Sequence, residues 1–335
     1  MVRSLSAIFA LLSIAMLAEA QPALKPREVA SVPGQTTSLM VSPDGKLVAA
    51  NTVRIKLAAD GTRGGDGDEV VVWDLATGAV RVNTGKSDLG PLGFSANSKE
   101  LIVGGRAPFD QTHVQTWDVE TGKASKPIIL MNEAAFPRLS ADATTALTVT
   151  NRTMAGAHAV DTWDLATGKS LESFKLDSGR TLFYSQAAKG PFQAVVETAP
   201  RVVGLLTRDA KTGKTTTVNL PGVANAHISP DGKLVAGLGE QGIKLFDSAG
   251  KLKWTTPGNY QDHRLDGKYV IATDAYAKIF LLDLISGKVM RTIESGYQGA
   301  PSTALTKDGK SLVVVGARGK GFDKYVVQVY TLAGK

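Results

Sequence analysis

The chain has 335 residues, a formal net charge of +7 at neutral pH and no cysteine. The lack of cysteine excludes disulfides, thiol catalysis, thiolate metal sites and a lipid-modified N-terminal cysteine. Lysine and arginine are spread along the chain without a block of like charges, so the positive surplus does not by itself indicate nucleic acid. We therefore expect no nucleic-acid partner.

The first twenty residues have the pattern of a signal peptide. A short basic start leads into an apolar stretch over 5–17, and Ala18-Glu19-Ala20 fits a small-x-small cleavage site. The apolar stretch is shorter than the roughly 20 residues that span a bilayer, which disfavours the alternative of a retained anchor. We predict a signal peptide over 1–20 and a mature chain, without a membrane span, that is periplasmic or secreted.

A short motif recurs along the rest of the chain: an aspartate or its equivalent, followed by a turn that ends in Gly or Gly-Lys. It is clearest at Trp73–Gly78, Trp117–Lys123 and Trp163–Lys169. Successive motif glycines are 44, 46, 45, 37, 37 and 47 residues apart, at positions Gly78, Gly122, Gly168, Gly213, Gly250, Gly287 and Gly334. A period of about 40 residues is typical of propeller blades, so we predict a repeat architecture.

Each repeat can be written as four short strands. In the first repeat, strand-forming segments at 38–41 and 47–50 flank the turn Ser42–Gly45, and segments at 69–73 and 80–82 flank a second turn. A long polar loop over 56–69 separates the two halves. No segment shows a sustained apolar period of 3.6 residues, which predicts an all-β chain of four-stranded antiparallel blades with almost no helix.

The two ends of the chain complement each other. The last repeat stops at Lys335 without a fourth strand, and a strand-like segment over 27–33 precedes the first repeat. If this segment completes the blade formed by 300–335, the otherwise open sheet edge is paired. The sequence thus predicts one domain over 21–335, a seven-bladed β-propeller closed by its N-terminal strand.

These motifs resemble those of the WD40-like and YVTN-type β-propellers of bacteria. The resemblance rests on the Ser-Pro-Asp-Gly-Lys turns at Ser42 and Ser229 and the Trp-Asp-Leu-Ala-Thr-Gly runs at Trp73 and Trp163, and it extends over 27–335. The chain departs from strict WD40 repeats, because no Gly-His pair precedes the first strands. The family includes binding platforms, lactonases and non-catalytic chains of quinoprotein complexes, so the resemblance implies a fold but no single function.

Arginines mark the face on which we expect binding. The turns described above would share one face, and the longer, variable loops would lie on the other, where binding usually resides. An arginine follows the second strand in five repeats, at Arg54, Arg106, Arg152, Arg201 and Arg318. Pointing inward, they would form a cationic rim for carboxylates or phosphates. The alternative is that each pairs with a nearby acid, such as Asp110 or Asp323.

Two candidate metal sites can be drawn from the sequence. Neighbouring blades could bring His113 and His158 together in a site of two histidines and one aspartate. The loop over 56–69, with Asp66 and Asp68, offers oxygen ligands for Ca²⁺, although such a loop is more often only flexible. His227 lies within a first strand, where an interior hydrogen-bonded role is the simplest interpretation. No pattern indicates a catalytic residue or a cofactor.

These observations favour an exported binding or scaffolding module. Its variable-loop face would bind a protein partner or an anionic small molecule or polymer, and the chain would be a monomer or part of a hetero-complex. The alternatives are a propeller hydrolase of the lactonase kind and a non-catalytic subunit of an envelope redox complex.

The arginine rim leads to a first prediction. Replacing Arg106 and Arg152 with Ala removes two bidentate donors and should weaken binding of a dicarboxylate or inorganic phosphate by about tenfold or more, as measured by isothermal titration calorimetry. The control removes two positive charges elsewhere, through Lys123→Ala and Lys169→Ala. Equal affinity in the arginine variant and the wild type would refute the rim.

Overall fold

A computed structural model describes residues 24–32, 34–57, 63–107, 111–131, 137–140, 142–151, 158–176, 180–186, 191–199, 202–318 and 324–332. The predicted signal peptide over 1–20 lies outside these ranges. No helix is present among the described residues, and so none that could cross a membrane.

The strands follow one another in groups of four. They are β1 (Arg27–Val32); β2 (Gln35–Val41), β3 (Leu47–Leu57), β4 (Arg63–Asp74) and β5 (Val80–Asn83); β6 (Leu89–Phe94), β7 (Glu100–Ala107), β8 (Gln111–Asp118) and β9 (Ile128–Met131); β10 (Arg138–Leu139), β11 (Thr145–Asn151), β12 (His158–Asp164) and β13 (Ser170–Leu176); β14 (Arg180–Gln186), β15 (Phe192–Ala199), β16 (Val202–Arg208) and β17 (Thr215–Asn219); β18 (Asn225–Ile228), β19 (Leu234–Gly239), β20 (Gly242–Asp247) and β21 (Leu252–Thr256); β22 (Asp262–Asp266), β23 (Tyr269–Thr273), β24 (Lys278–Asp283) and β25 (Val289–Glu294); and β26 (Gln298–Leu305), β27 (Ser311–Arg318) and β28 (Lys324–Thr331).

The strands form seven four-stranded antiparallel sheets. Blades 1 to 6 each use four consecutive strands, from β2–β5 to β22–β25, and blade 7 has the order β1-β28-β27-β26. The first strand of each blade contacts the first strand of the next, and β26 contacts β2, so these seven strands form a closed inner ring. The predicted all-β, seven-bladed propeller with a shared last blade is confirmed.

Apolar contacts between neighbouring blades hold the ring together. The buried side chains form seven clusters, and each cluster joins one pair of adjacent blades, blade 7 with blade 1 included. Along β3, Val48 and Ala50 pack toward blade 7, whereas Leu47 and Ala49 pack toward blade 2. The alternation follows from the two-residue period of a strand, and burial on both faces explains why the middle strands are apolar throughout.

Closure combines backbone pairing, packing and side-chain bonds. β1 pairs with β28 from Arg27↔Val329 to Val32↔Tyr325. The guanidinium of Arg27 then donates to the carbonyls of Leu75 and Ala76 in the β4–β5 turn of blade 1. Gly78 in that turn has a φ of +73°, and a Cβ added there would lie 2.3 Å from the carbonyl oxygen of Val29. The turn therefore needs glycine for its backbone conformation and for contact with the closing strand.

The ladder of the first blade differs from the sequence-based prediction. The sequence predicts a loop over 56–69, but β3 continues to Leu57 and β4 begins at Arg63, with Ile55 opposite Gly65 in the ladder. The ladder can include this Gly-rich segment because backbone hydrogen bonds do not require side chains. The register shifts between Val53 and Ile55, which places Arg54 at an irregularity of the strand.

Closure predicts a large loss of stability when β1 is removed. Deleting residues 21–34 exposes the edge of β28 and the apolar cluster between blades 7 and 1, so the melting temperature should fall by on the order of 10 °C or more. A deletion of 21–23 alone keeps β1 and serves as the control. Differential scanning calorimetry of both variants checks this, and equal melting temperatures would exclude closure by β1.

Candidate functional site

One face of the propeller consists of short turns that satisfy their own polar groups. In the β2–β3 turn, Ser42 Oγ lies 2.6 Å from Asp44 Oδ1 and accepts from the amide of Leu47 at 3.0 Å. In the β4–β5 turn, Asp74 Oδ1 accepts from the amides of Ala76 and Thr77, both at 3.0 Å. Turns of the first type recur at Ser95, Ser140, Ser229 and Thr306, and of the second at Asp118, Asp164, Asp209, Asp247 and Asp283.

The two kinds of turn lie side by side within a blade. The amide of Leu75 donates to the carbonyl of Lys46 at 2.7 Å. Equivalent bonds join the turns of five other blades, at Val119–Lys99, Leu165–Thr144, Ser248–Lys233, Leu284–Lys268 and Leu332–Lys310. These bonds place both turns of a blade on one face, here called the turn face, and hold the two turns together.

Connections on the opposite face, here called the loop face, differ from blade to blade. The second and third strands are separated by two residues in blades 4 and 5 but by six in blade 3, over 152–157. On the turn face, by contrast, five residues join the first two strands in every blade except blade 6. Constant length preserves the turn geometry, and variable length on a rigid ring is typical of a recognition surface.

Arg318 is the one arginine of the predicted rim whose side chain the structure describes. Its Nη2 donates to the carbonyl of Ser295 at 2.9 Å and to Gln328 Oε1 at 3.2 Å, and the guanidinium lies 5.1 Å from the centre of the Tyr297 ring. These contacts direct it toward the seam between blades 6 and 7. The side chains of the other four, Arg54, Arg106, Arg152 and Arg201, lie outside the described part of the chain. The anionic rim stays a prediction.

The predicted metal ligands are described only in part. His113 Nε2 lies 3.1 Å from Gln111 Oε1 within the same strand. Asp68 Oδ2 accepts from Asn51 Nδ2 at 3.2 Å across the β3–β4 ladder. The side chains of His158 and Asp66 lie outside the described residues, so both proposed metal sites stay predictions.

A different group of metal-ligating side chains lies on the inner ring. His227 in β18 and Asp262 and His263 in β22 each place one ligand atom within 4.8 Å of the others, the one such group of three or more among the described residues. The two imidazole rings meet edge to face with their centres 4.9 Å apart. Asp262 is exposed, His227 is half-buried and His263 is 2% exposed, so the group extends from the channel wall into the seam between blades 5 and 6.

Hydrogen bonds fix the orientation of this group. His263 Nε2 lies 2.8 Å from the carbonyl oxygen of Ala236 in β19, so it donates its proton there. Nδ1 of the same ring then carries the lone pair; this atom is buried and has no protein partner among the described residues. Asp262 Oδ1 accepts from the amide of His263 at 2.8 Å, which positions the carboxylate beside the ring.

Burial keeps both histidines neutral. Desolvation, together with the charges of His263, Arg264 and Arg138, lowers the pKa of His227 to about 3. Burial also lowers the pKa of His263, against smaller opposing effects of Ala236 and Asp262. Arg264 itself is engaged by the Thr303 carbonyl and by Asp266 Oδ2 at 3.6 Å. Both imidazoles are therefore neutral at neutral pH.

The sequence contains a weak signal for this group. His227 and His263 are 36 residues apart, close to the 37-residue spacing of Gly250 and Gly287, so they fall at nearly equivalent points of consecutive repeats. The sequence alone favours an interior hydrogen-bonded role for His227, which lies within a first strand. The contact with blade 6 could not be deduced from the strand alone.

Comparison with known proteins supports the architecture and nothing narrower. No protein-family model matches the sequence, and no curated protein matches it, so the resemblance to WD40-like and YVTN-type repeats stays an interpretation. Among solved structures, 1277 chains match. Because so many chains share this fold, the fold does not identify a function. One is a chain of hydrazine synthase from Kuenenia stuttgartiensis, 16% identical, with a TM-score of 0.66 over 91% of this chain and 97% of that one. Such low identity shows the fold alone.

The turn face yields a prediction with a defined pH dependence. The bond from Arg81 to Asp74, at 2.8 Å, and the amide of Thr77 lower the pKa of Asp74 to about 2 from 3.8. A lowered pKa stabilises the fold above the unfolded value, and this contribution is lost as the pH falls from about 4 through about 2. Asp74→Asn should thus cost about 1 kcal/mol at pH 7, since Arg81 is half-exposed and solvent screens the pair, and almost nothing near pH 2.

Urea denaturation at several pH values checks this. A double-mutant cycle with Arg81→Ala separates the ion pair from the turn, because the oxygen of an asparagine side chain at this position would still accept from the two amides. A cost that does not change with pH would show that the charge of Asp74 is not involved.

Proposed function

We propose that this protein is an exported, non-catalytic binding module whose loop face docks a protein partner. The single observation that carries the proposal is the asymmetry of the two faces. On the turn face, the connection between the first two strands has five residues in six of the seven blades, and the described turns bond their polar groups internally. On the loop face, the connection between the second and third strands varies from two to six residues. A ring closed by seven apolar seams holds those loops at fixed relative positions, which lowers the entropy lost when a partner binds.

Export is supported by the sequence of the first twenty residues. The basic start, the apolar stretch and the Ala18-Glu19-Ala20 site have the order of a signal peptide. The scaffold has no cysteine, so its stability would be independent of the redox state of the compartment. We propose the periplasm or the exterior of the cell as the location of the mature protein.

A subunit role within an envelope complex is one form of this proposal. Its support is that a chain in the hydrazine synthase structure shares the fold over nearly its full length. In such a complex the propeller would contribute binding surface.

A propeller hydrolase of the lactonase kind is the second candidate. The observation that favours it is the group of His227, Asp262 and His263 at the channel wall, because a metal bound there could polarise a carbonyl or activate water. Turnover of a panel of lactones by the wild type, lost in His227→Gln, would favour the hydrolase over the binding module.

The experiment for the binding function changes loops and leaves the ring intact. The loop variant replaces residues 152–157 and 319–323 with two glycines each, the length that blade 5 uses at Glu240 and Gln241. Loop length alters stability only slowly, so the fold should persist. We expect proteins crosslinked to the wild type in the native envelope fraction, identified by mass spectrometry, to fall to background with this variant.

The matched control lies on the turn face. It carries Lys123→Ala, Lys169→Ala and Lys214→Ala, three exposed positions, and should retain the same partners as the wild type. Loss of partners in the control, or full retention in the loop variant, would overturn the assignment of the loop face.

A further inference from the structure

We infer that His227, Asp262 and His263 form a binding site for one divalent transition-metal ion, such as Zn²⁺, on the channel wall between blades 5 and 6. The three residues come from the inner strands of two neighbouring blades, and their ligand atoms lie within 4.8 Å of one another. This inference goes beyond the partner-binding function and does not depend on it.

The spacing of the ligand atoms fits an ion after a small side-chain movement. Four-coordinate zinc with bonds of about 2.1 Å requires ligand atoms about 3.4 Å apart. All separations here are within 4.8 Å, so the widest exceeds that requirement by at most about 1.4 Å. Asp262 is exposed on the channel wall, so a rotation that gives up its bond from the His263 amide can close this gap. His263 is held by packing and by its bond to Ala236.

The environment of His263 is that of a metal ligand. A metal-bound histidine commonly donates its other ring nitrogen to a carbonyl or carboxylate, which fixes the tautomer and raises its basicity. Here the bond from Nε2 to the Ala236 carbonyl has that role, and it leaves the lone pair of Nδ1 available. His263 is only 2% exposed, and its Nδ1 has no hydrogen-bond partner within the described ranges. A buried polar atom without a partner costs free energy, and a bound ion would remove that cost.

The donor set selects the kind of metal. Two imidazoles and one carboxylate suit Zn²⁺, Fe²⁺, Co²⁺, Ni²⁺ or Cu²⁺, whereas Ca²⁺ and Mg²⁺ prefer oxygen ligands alone. Three protein ligands would leave at least one coordination position of a four-coordinate ion for water or a small ligand.

The experiment uses the full mature chain after removal of metals with a chelator. Zn²⁺ is titrated by isothermal titration calorimetry, and the bound metal is counted by mass spectrometry after dialysis. We expect one Zn²⁺ per chain, and the absorption of Co²⁺ bound in its place should report imidazole ligands. His227→Gln should abolish binding, and Asp262→Asn, an exposed change that leaves the core intact, should weaken it by about tenfold or more.

Two control variants test whether the bound ion belongs to this site. Glu240→Gln removes an exposed carboxylate from blade 5, and His113→Gln removes a histidine of the site predicted from sequence; both should bind Zn²⁺ like the wild type. Circular dichroism confirms folding of every variant. The inference is overturned if the folded wild type binds no Zn²⁺ at micromolar concentrations, if His227→Gln and Asp262→Asn bind normally, or if binding is lost in His113→Gln instead.

Discussion

The antiparallel pairing of β1 with β28 is the constraint on which the rest of the structure depends. Without it, blade 7 would have three strands, and the edge of β28 would be open. The apolar seam between blades 7 and 1 would also lose Val32, and the turn at Gly78 would lose its contact with Val29. Each of the other seams has its own apolar cluster, but opening the ring at blade 7 would remove the constraint that holds its two ends together.

A closed ring divides the surface by function. On the turn face, hydroxyl and carboxylate side chains bond the amides of their own turns, and backbone bonds join neighbouring turns. These hydrogen bonds hold the shape of the turns, so few polar groups of the turn face are left to bind a ligand. The side chains of the loop face and the inner ring do not have to hold such turns. Loops there can change length, and the inner strands can carry charged residues such as Arg138 and Asp262 without disturbing the seams.

The inner ring also shows how a site can arise from residues that are unremarkable alone. His227 belongs to blade 5 and His263 to blade 6, and the seam between these blades brings their rings within 4.9 Å. The same packing excludes water, which keeps both imidazoles neutral, and it places the Ala236 carbonyl where it fixes the tautomer of His263. Arg318 shows a similar effect, since its bond to the Ser295 carbonyl crosses the seam between blades 6 and 7.

By itself the sequence determined the repeat, the number of blades, the turns at Ser42 and Asp74 and the closure by β1, because these follow from local backbone geometry and a two-residue strand period. It did not determine the extent of β3 and β4, since a backbone ladder can pass through Gly64 and Gly65 without any side-chain signal. Only the tertiary structure decided which polar residues meet. Contacts between blades depend on how each sheet is rotated relative to the next, and the repeat pattern of the sequence does not specify that rotation.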